Sequence, residues 1–240
     1  MVPTLTVDNI VKRFGETAAV GGVSFSIAST DVVALAGGNG SGKTTLLRII
    51  AGALMPDSGS VIWEGQPLRC GNSRDTRNRG IEMVFQDCAL CPDATVVDNL
   101  FLGREPISAL GFLKLRQMQD EAQQMIERYH LPIPSLTTQT RYLSGGQQKA
   151  VAIGRALLSK PRLLLLDEPT AALGVKEQKI ILNTLIELRS AGVGIILCTH
   201  SPDEILLVAQ RVLALRRGEL VHNKPIGELS RNELALVMST

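Results

Sequence analysis

Short runs of strand-forming residues open the chain, at Thr4 to Val7, Val23 to Ile27, Val32 to Ala36 and Ser60 to Trp63. Glycines and polar residues punctuate them. Between the third and fourth runs the pattern predicts a helix from Lys43 to about Ile50, stopped by Gly52 and Pro56. Ile81 to Phe85 reads as another strand. From Val96 to about Ser159 the pattern turns helical, with no convincing strand. Its clearest stretch is Leu115, Met118, Ala122, Met125 or Ile126, and Tyr129, three to four residues apart with Gln, Glu and Arg between them. Past Pro161 strands return, at Arg162 to Leu166, Gly194 to Cys198, Val212 to Leu215 and Glu219 to Val221. Helices at Val175 to Ser190 and Pro202 to Ala209 separate the first three.

Strands alternating with helices predict a parallel sheet covered on both faces. The expected organisation is a single α/β domain over residues 1–240. Its core takes about 1–90 and 160–240, and a helical lobe of about 90–160 interrupts it. After the last strand, Ile226 to Thr240 leaves room for one helix and too little for a regulatory domain.

Composition narrows this picture without changing it. A chain of 240 residues with 45% apolar content can bury a sizeable core. The net charge of +2, from 25 basic and 23 acidic residues, gives no reason to expect a nucleic-acid surface. Arg69, Arg74, Arg77 and Arg79 are clustered, but no aromatic residues for base stacking lie among them, so they read as a solvated loop or helix face. Cys88 and Cys91 form a C-x-x-C that no second pair supports, and with Cys70 and Cys198 they read as free thiols in a reducing cytosol. The first residues lack the basic and apolar regions of a signal peptide, and no apolar run approaches a membrane span. A soluble chain is expected, with any membrane role exercised through a partner.

The chemistry is more specific. Gly37-Gly38-Asn39-Gly40-Ser41-Gly42-Lys43-Thr44 fits G-x-x-x-x-G-K-[ST] and sits between a predicted strand and a predicted helix, the context this motif requires. Its glycines let backbone N–H groups curl around phosphates, and the helix start adds its positive dipole end. Lys43 is expected to reach the β- and γ-phosphates and the Thr44 hydroxyl to bind Mg²⁺, with Thr45 next in the nucleotide cradle. The run Arg162 to Leu166 ends in Asp167-Glu168-Pro169. In an open parallel sheet, ligands sit beyond the carboxyl ends of the strands. Asp167 is therefore expected to hold Mg²⁺, and Glu168 to orient and polarise the attacking water. Leu143-Ser144-Gly145-Gly146-Gln147, just before a predicted helix, reads as a second anion cradle built from a hydroxyl and two flexible glycines.

Together these motifs resemble the ATP-binding cassette (ABC) family over essentially the whole chain. The resemblance implies the P-loop ABC ATPase fold, with an N-terminal antiparallel β portion and an inserted helical lobe. It implies that Phe14 stacks on adenine, where the residues alone read as core or loop. Gln86 matches the glutamine that contacts Mg²⁺ and water and senses a transmembrane partner. His200 matches the switch histidine at the γ-phosphate, although a lone histidine after a strand otherwise reads as structural. The family's signature loop, here Ser144, Gly145, Gly146 and Gln147, contacts the ATP of a second cassette. A dimer with a second such subunit, expected to be a homodimer, follows.

Residues 79–91, Asp98-Asn99-Leu100-Phe101-Leu102-Gly103-Arg104-Glu105 and Thr170-Ala171-Ala172-Leu173-Gly174-Val175 look like ATPase subunits of bacterial simple-sugar importers of the ribose, xylose and fructose type. That branch implies a separate transmembrane permease, an extracytoplasmic sugar-binding protein, and a peripheral position on the cytoplasmic side of the plasma membrane. Three departures from the family stand out. Gly174 replaces the usual aspartate, Lys149-Ala150 stands where an arginine is common at the second position, and Gly38 replaces a common proline. An exporter ATPase, an importer of another solute and a non-transport cassette remain alternatives, as does a nucleotide-binding regulator without turnover.

Overall fold

The structure is a computed structural model and describes residues 4–28 and 30–239. The chain opens with β1 (Leu5–Phe14) and β2 (Thr17–Ile27), then β3 (Val32–Ala36) and α1 (Lys43–Ile50). β4 (Ser58–Trp63), β5 (Gln66–Pro67), α2 (Ser73–Asn78) and β6 (Ile81–Val84) follow. Next come the helices α3 (Val96–Phe101), α4 (Leu115–Arg128) and α5 (Gly145–Leu157). The remainder runs β7 (Leu163–Asp167), α6 (Val175–Ser190), β8 (Gly194–Cys198), α7 (Pro202–Val208), β9 (Arg211–Arg216), β10 (Glu219–Pro225) and α8 (Arg231–Ser239).

The strands form two sheets. One is antiparallel, in the order β2-β1-β4-β5; the other has the order β10-β9-β3-β8-β7-β6. In the second sheet β3 runs parallel to β8 and β9, and β7 runs parallel to β8. Every residue of β3, β7 and β8 is buried, as expected of parallel strands covered on both faces. The mixed α/β P-loop architecture expected from the sequence is present, antiparallel portion included.

Most elements run close to their expected limits, but three strands are longer: β2 starts at Thr17 rather than Val23, β10 reaches Pro225 rather than Val221, and β1 is the instructive case. β1 continues to Phe14, well past Val7. Its inward face switches from Leu5 and Val7 to Ile10 because a bulge at Asn9, with φ +47°, inserts one extra residue. The polar pair Asp8-Asn9 breaks the alternation that marks a strand, so the continuation looks like a loop in the sequence.

The chain divides into two compact units, residues Met1–Met83, Arg162–Glu168 and Leu188–Thr240 in the first and Val84–Pro161 with Pro169–Glu187 in the second. The first holds the core of β1, β2, α1 and the central strands, with Leu5, Ile10, Leu46, Ile50 and Trp63 fully buried. In the second, α4 buries Met118, Ala122 and Met125. Leu115, at its first position, is exposed. α5 passes close by at Gly154, where a Cβ would lie 2.8 Å from Met125 Cε and 3.1 Å from Leu100 Cδ2. Buried Asn99 receives the Cys91 N–H at 2.7 Å and donates to the Cys91 carbonyl at 3.0 Å, pinning the turn before α3.

Candidate functional site

The loop from β3 to α1 is shaped by close backbone approach. Gly37 has φ +138°, and a Cβ there would stand 2.2 Å from the Leu215 carbonyl oxygen at the end of β9. Gly42, at φ +104°, would place a Cβ 2.2 Å from the Ala19 carbonyl oxygen of β2. Only glycine fits either position. The Gly218 N–H donates to the Ser41 carbonyl at 3.1 Å and seats the loop from a third side.

Within this cradle, buried Lys43 donates from Nζ to the Gly37 and Gly38 carbonyls, each at 2.8 Å. Ser41 Oγ is buried with no hydrogen-bond partner among the described residues, a hydroxyl available to an anion. Gly42 is the N-cap of α1 and brings no side-chain cap, leaving the first-turn N–H groups for a ligand. Asn39 and Gly40 form the exposed rim, while Thr44 and Thr45 are half-buried.

β7 delivers the carboxylates. Asp167 Oδ1 accepts from Thr44 Oγ1 at 3.2 Å. Burial raises the Asp167 carboxyl above its ordinary pKa; the Thr44 hydrogen bond opposes this and the neighbouring Glu168 charge adds to it. Two oxygen donors at the mouth of a phosphate cradle form a donor set that fits a hard divalent cation. Glu168 adopts φ +50°, a left-handed backbone that is uncommon for a residue with a side chain. Its N–H donates to the Cys198 carbonyl at 3.0 Å. Its Oε1 lies 2.5 Å from His200 Nε2. The first unit thus brings together Lys43, Thr44, Asp167, Glu168 and His200.

Phe14 ends β1 with its side chain 55% exposed, a free aromatic surface rather than core. Lys12 Nζ lies 5.7 Å from its ring centroid and also donates to Asp57 Oδ1 at 2.8 Å. The Arg13 N–H donates to Asp57 Oδ2 at 2.7 Å. The Lys12 and Arg13 hydrogen bonds, in that order, hold the Asp57 carboxyl below its ordinary pKa.

Gln86 and the signature loop lie in the second unit. Gln86 follows β6, and its carbonyl accepts from buried Lys149 Nζ at 2.7 Å. Ser144 is the N-cap of α5; its Oγ accepts from the Gln147 N–H at 3.2 Å, and Gln147 Oε1 accepts from the Ser144 N–H at 2.9 Å. That reciprocal capping box holds the loop in shape. The two signature glycines differ from the flexible pair read in the sequence. Both lie inside the first turn of α5. Gly145 has open space where a Cβ would go, whereas at Gly146 it would stand 2.7 Å from Glu177 Cγ, so packing demands the small residue there.

Sequence reasoning passed over several groups. Arg155 donates to the carbonyls of Cys88 and Ala89, both at 2.8 Å and both residues in left-handed backbone, beside Gln86. Nothing in the Ala- and Gly-rich α5 sequence signals this contact. Buried Thr199 and Glu204 flank His200. Ser201 followed three residues later by Glu204 is a helix-start signature that points to them.

A glycine loop between a buried parallel strand and a helix, with strand-end carboxylates at its mouth, defines a P-loop nucleotide-binding protein. A profile of the ABC transporter family matches residues 20–171. The xylose/arabinose import ATP-binding protein of Sulfolobus acidocaldarius is 37% identical over 240 residues, covering 100% of this chain and 95% of that protein. The ribose import ATP-binding protein of Rhodopirellula baltica is 35% identical over 229 residues, 95% of this chain but 45% of the relative, so the chain spans about half of that protein's length. A nucleotide-free ATP-binding cassette from an ABC transporter superposes with a TM-score of 0.83 at 30% identity, over 98% of this chain and 96% of that one. A dimeric cassette in a post-hydrolysis state, bound to ADP and Pi, gives 0.81 at 28% identity, over 92% of this chain and 98% of that one. The chain belongs to the ABC transporter family, as an ATP-binding cassette.

Proposed function

We propose that this chain is the ATP-hydrolysing subunit of an importer for a simple sugar, working as a dimer of cassettes beside a separate permease. The observation that carries the hydrolytic reading is the 2.5 Å approach of His200 Nε2 to Glu168 Oε1, next to the Thr44–Asp167 pair. Lys43, the Ser41 hydroxyl and the amides of residues 37–45 bind the phosphates of ATP. Phe14 offers a ring face to adenine. Thr44 and Asp167 would hold Mg²⁺, which when bound supplies positive charge to the phosphate oxygens.

Glu168 orients a water and accepts its proton as the water oxygen attacks the γ-phosphorus. The bond to the β-phosphate oxygen breaks, and ADP and phosphate leave. His200 holds the Glu168 carboxylate and faces the same phosphate. Ser144 to Gln147 of a second copy close over the nucleotide, so ATP favours the dimer and hydrolysis releases it.

The sugar cargo is supported by the import names of the relatives and by the full-length match to the xylose/arabinose protein. The working assembly would include an extracytoplasmic sugar-binding protein and would sit on the cytoplasmic face of the membrane. No helix among the described residues is long and apolar enough to cross a membrane. The test is to purify the chain with its permease and screen pentoses and hexoses for uptake into vesicles. Sugar-stimulated ATP turnover with uptake is expected, and uptake of a non-sugar solute instead would overturn the cargo assignment.

A further inference from the structure

We propose that Glu204 is a positioning residue for His200, acting through Thr199 and Ser201. The inference rests on the reading of Glu168 and His200 given above. β8 ends at Cys198 and α7 begins at Pro202. His200 therefore sits in the short turn 199–201, outside the regular hydrogen bonding of strand and helix.

Side chains close that turn instead. Thr199 Oγ1 donates to Glu204 Oε2 at 2.5 Å and accepts from the Ser201 N–H at 3.1 Å. Ser201 is the N-cap of α7, and its Oγ accepts from the Glu204 N–H at 3.4 Å. The bonds form a ring, from carboxylate to hydroxyl to backbone to cap and back to the residue bearing the carboxylate. His200 lies on the segment the ring encloses.

The burial is uneven in a telling way. Thr199 is 4% and Glu204 8% exposed, while the His200 side chain beside them is 42% exposed. Burying a carboxylate is costly unless it is hydrogen-bonded and favourably placed. Glu204 meets both conditions, with the Thr199 hydroxyl as donor and a position in the first turn of α7, where the helix dipole favours an anion. This buried anchor fixes the backbone on both sides of a solvent-facing imidazole.

The other half of the pair is fixed from the same strand end. The Glu168 N–H donates to the Cys198 carbonyl at 3.0 Å, so β8 carries both the mount of Glu168 and the root of the His200 turn. With the Glu168 backbone anchored in this way, the freedom left to the backbone beneath the 2.5 Å contact is that of the 199–201 turn. The Glu204 carboxylate removes that freedom without itself touching the nucleotide site.

The experiment compares the full chain with E204A, T199V, T199S, H200A and the H200A/E204A double variant. E204A and T199V are expected to lower kcat about tenfold or more, since a displacement of about 1 Å can cost up to about a hundredfold, with KM for ATP nearly unchanged. T199S keeps the hydroxyl and should keep the parent kcat. In the H200A background, adding E204A should cost nothing further; an equal loss in both backgrounds, or a parent-like kcat in E204A alone, overturns the proposal. Thermal melts separate these effects from unfolding, and T199V carries the test if E204A does not fold. A readout independent of turnover is the imidazole NMR signal of His200, one of three histidines. It should move in T199V while those of His130 and His222 stay. If H200A hydrolyses ATP at the parent rate, the catalytic reading of His200 falls, and an unmoved His200 signal in T199V separately overturns the positioning role.

Discussion

Thr44 Oγ1 donates to Asp167 Oδ1 at 3.2 Å, joining residues 123 positions apart in the chain. Their meeting follows from the sheet order. β3 and β7 lie on either side of β8 and run parallel to it, so their carboxyl ends share one edge of the sheet. The phosphate loop leaves β3 at that edge and Asp167 closes β7 there. Fold and site are thus one arrangement, consistent with ligand binding beyond the carboxyl ends of parallel strands.

Lys43→Ala should abolish ATP binding or reduce it by about a hundredfold, because a buried ammonium facing phosphate contributes about 3 kcal/mol through charge-assisted hydrogen bonds. Titration with a fluorescent ATP analogue checks this. Unchanged affinity would remove Lys43 from the site.

The loop glycines should differ in their tolerance of alanine. Gly42→Ala meets the Ala19 carbonyl and must adopt a left-handed backbone, so it should cost about 1–3 kcal/mol or more and remove nucleotide binding. Gly40→Ala has an open site and bears only the backbone penalty, about 1–2 kcal/mol. Denaturant melts of the two variants measure the contrast.

Stability should depend on pH through Asp167. Burial raises its pKa in the folded state above the unfolded value, so the native protein binds the proton more readily. The ionised group therefore costs stability at neutral pH, and the cost fades as pH falls through the raised pKa. In EDTA, Asp167→Asn should melt above the parent at pH 7, and the difference should shrink toward pH 4. A difference that stays constant with pH contradicts this account.

Gly174 stands where the family usually carries aspartate, with the movable carboxylate end of Glu177 as its near neighbour. A Cβ there would lie 2.5 Å from Glu177 Oε2, and the same side chain crowds Gly146. Gly174→Asp should therefore lower ATP turnover, with two carboxylates forced together. Gly174→Asp combined with Glu177→Ala should recover part of the loss. Steady-state rates of the single and double variants form the cycle that measures the coupling.

Much of this was legible in the sequence, and the reasons are physical. The buried parallel strands are continuous apolar runs, and the phosphate loop must announce its backbone geometry through glycines. The continuation of β1 past Val7 was not legible, because a bulge at Asn9 breaks the alternation without ending the strand. Nor were the contacts of Lys149 and Arg155 with the carbonyls of residues 86, 88 and 89, since backbone carbonyls leave no mark in a sequence. The pairing of Glu168 with His200 depends on a left-handed Glu168, a conformation that residue type alone does not foretell.

The central claim is that two copies of this chain clamp ATP and hydrolyse it with Glu168 as the base. Glu168→Gln keeps the size of the side chain and removes its capacity to accept the proton. Size-exclusion chromatography with light scattering, with and without Mg-ATP, tests the claim most directly when read beside the turnover rate. The variant should lose hydrolysis by about a hundredfold or more and shift from monomer to dimer mass when Mg-ATP is added. Turnover at the parent rate, or a monomer mass with and without ATP, would contradict the account.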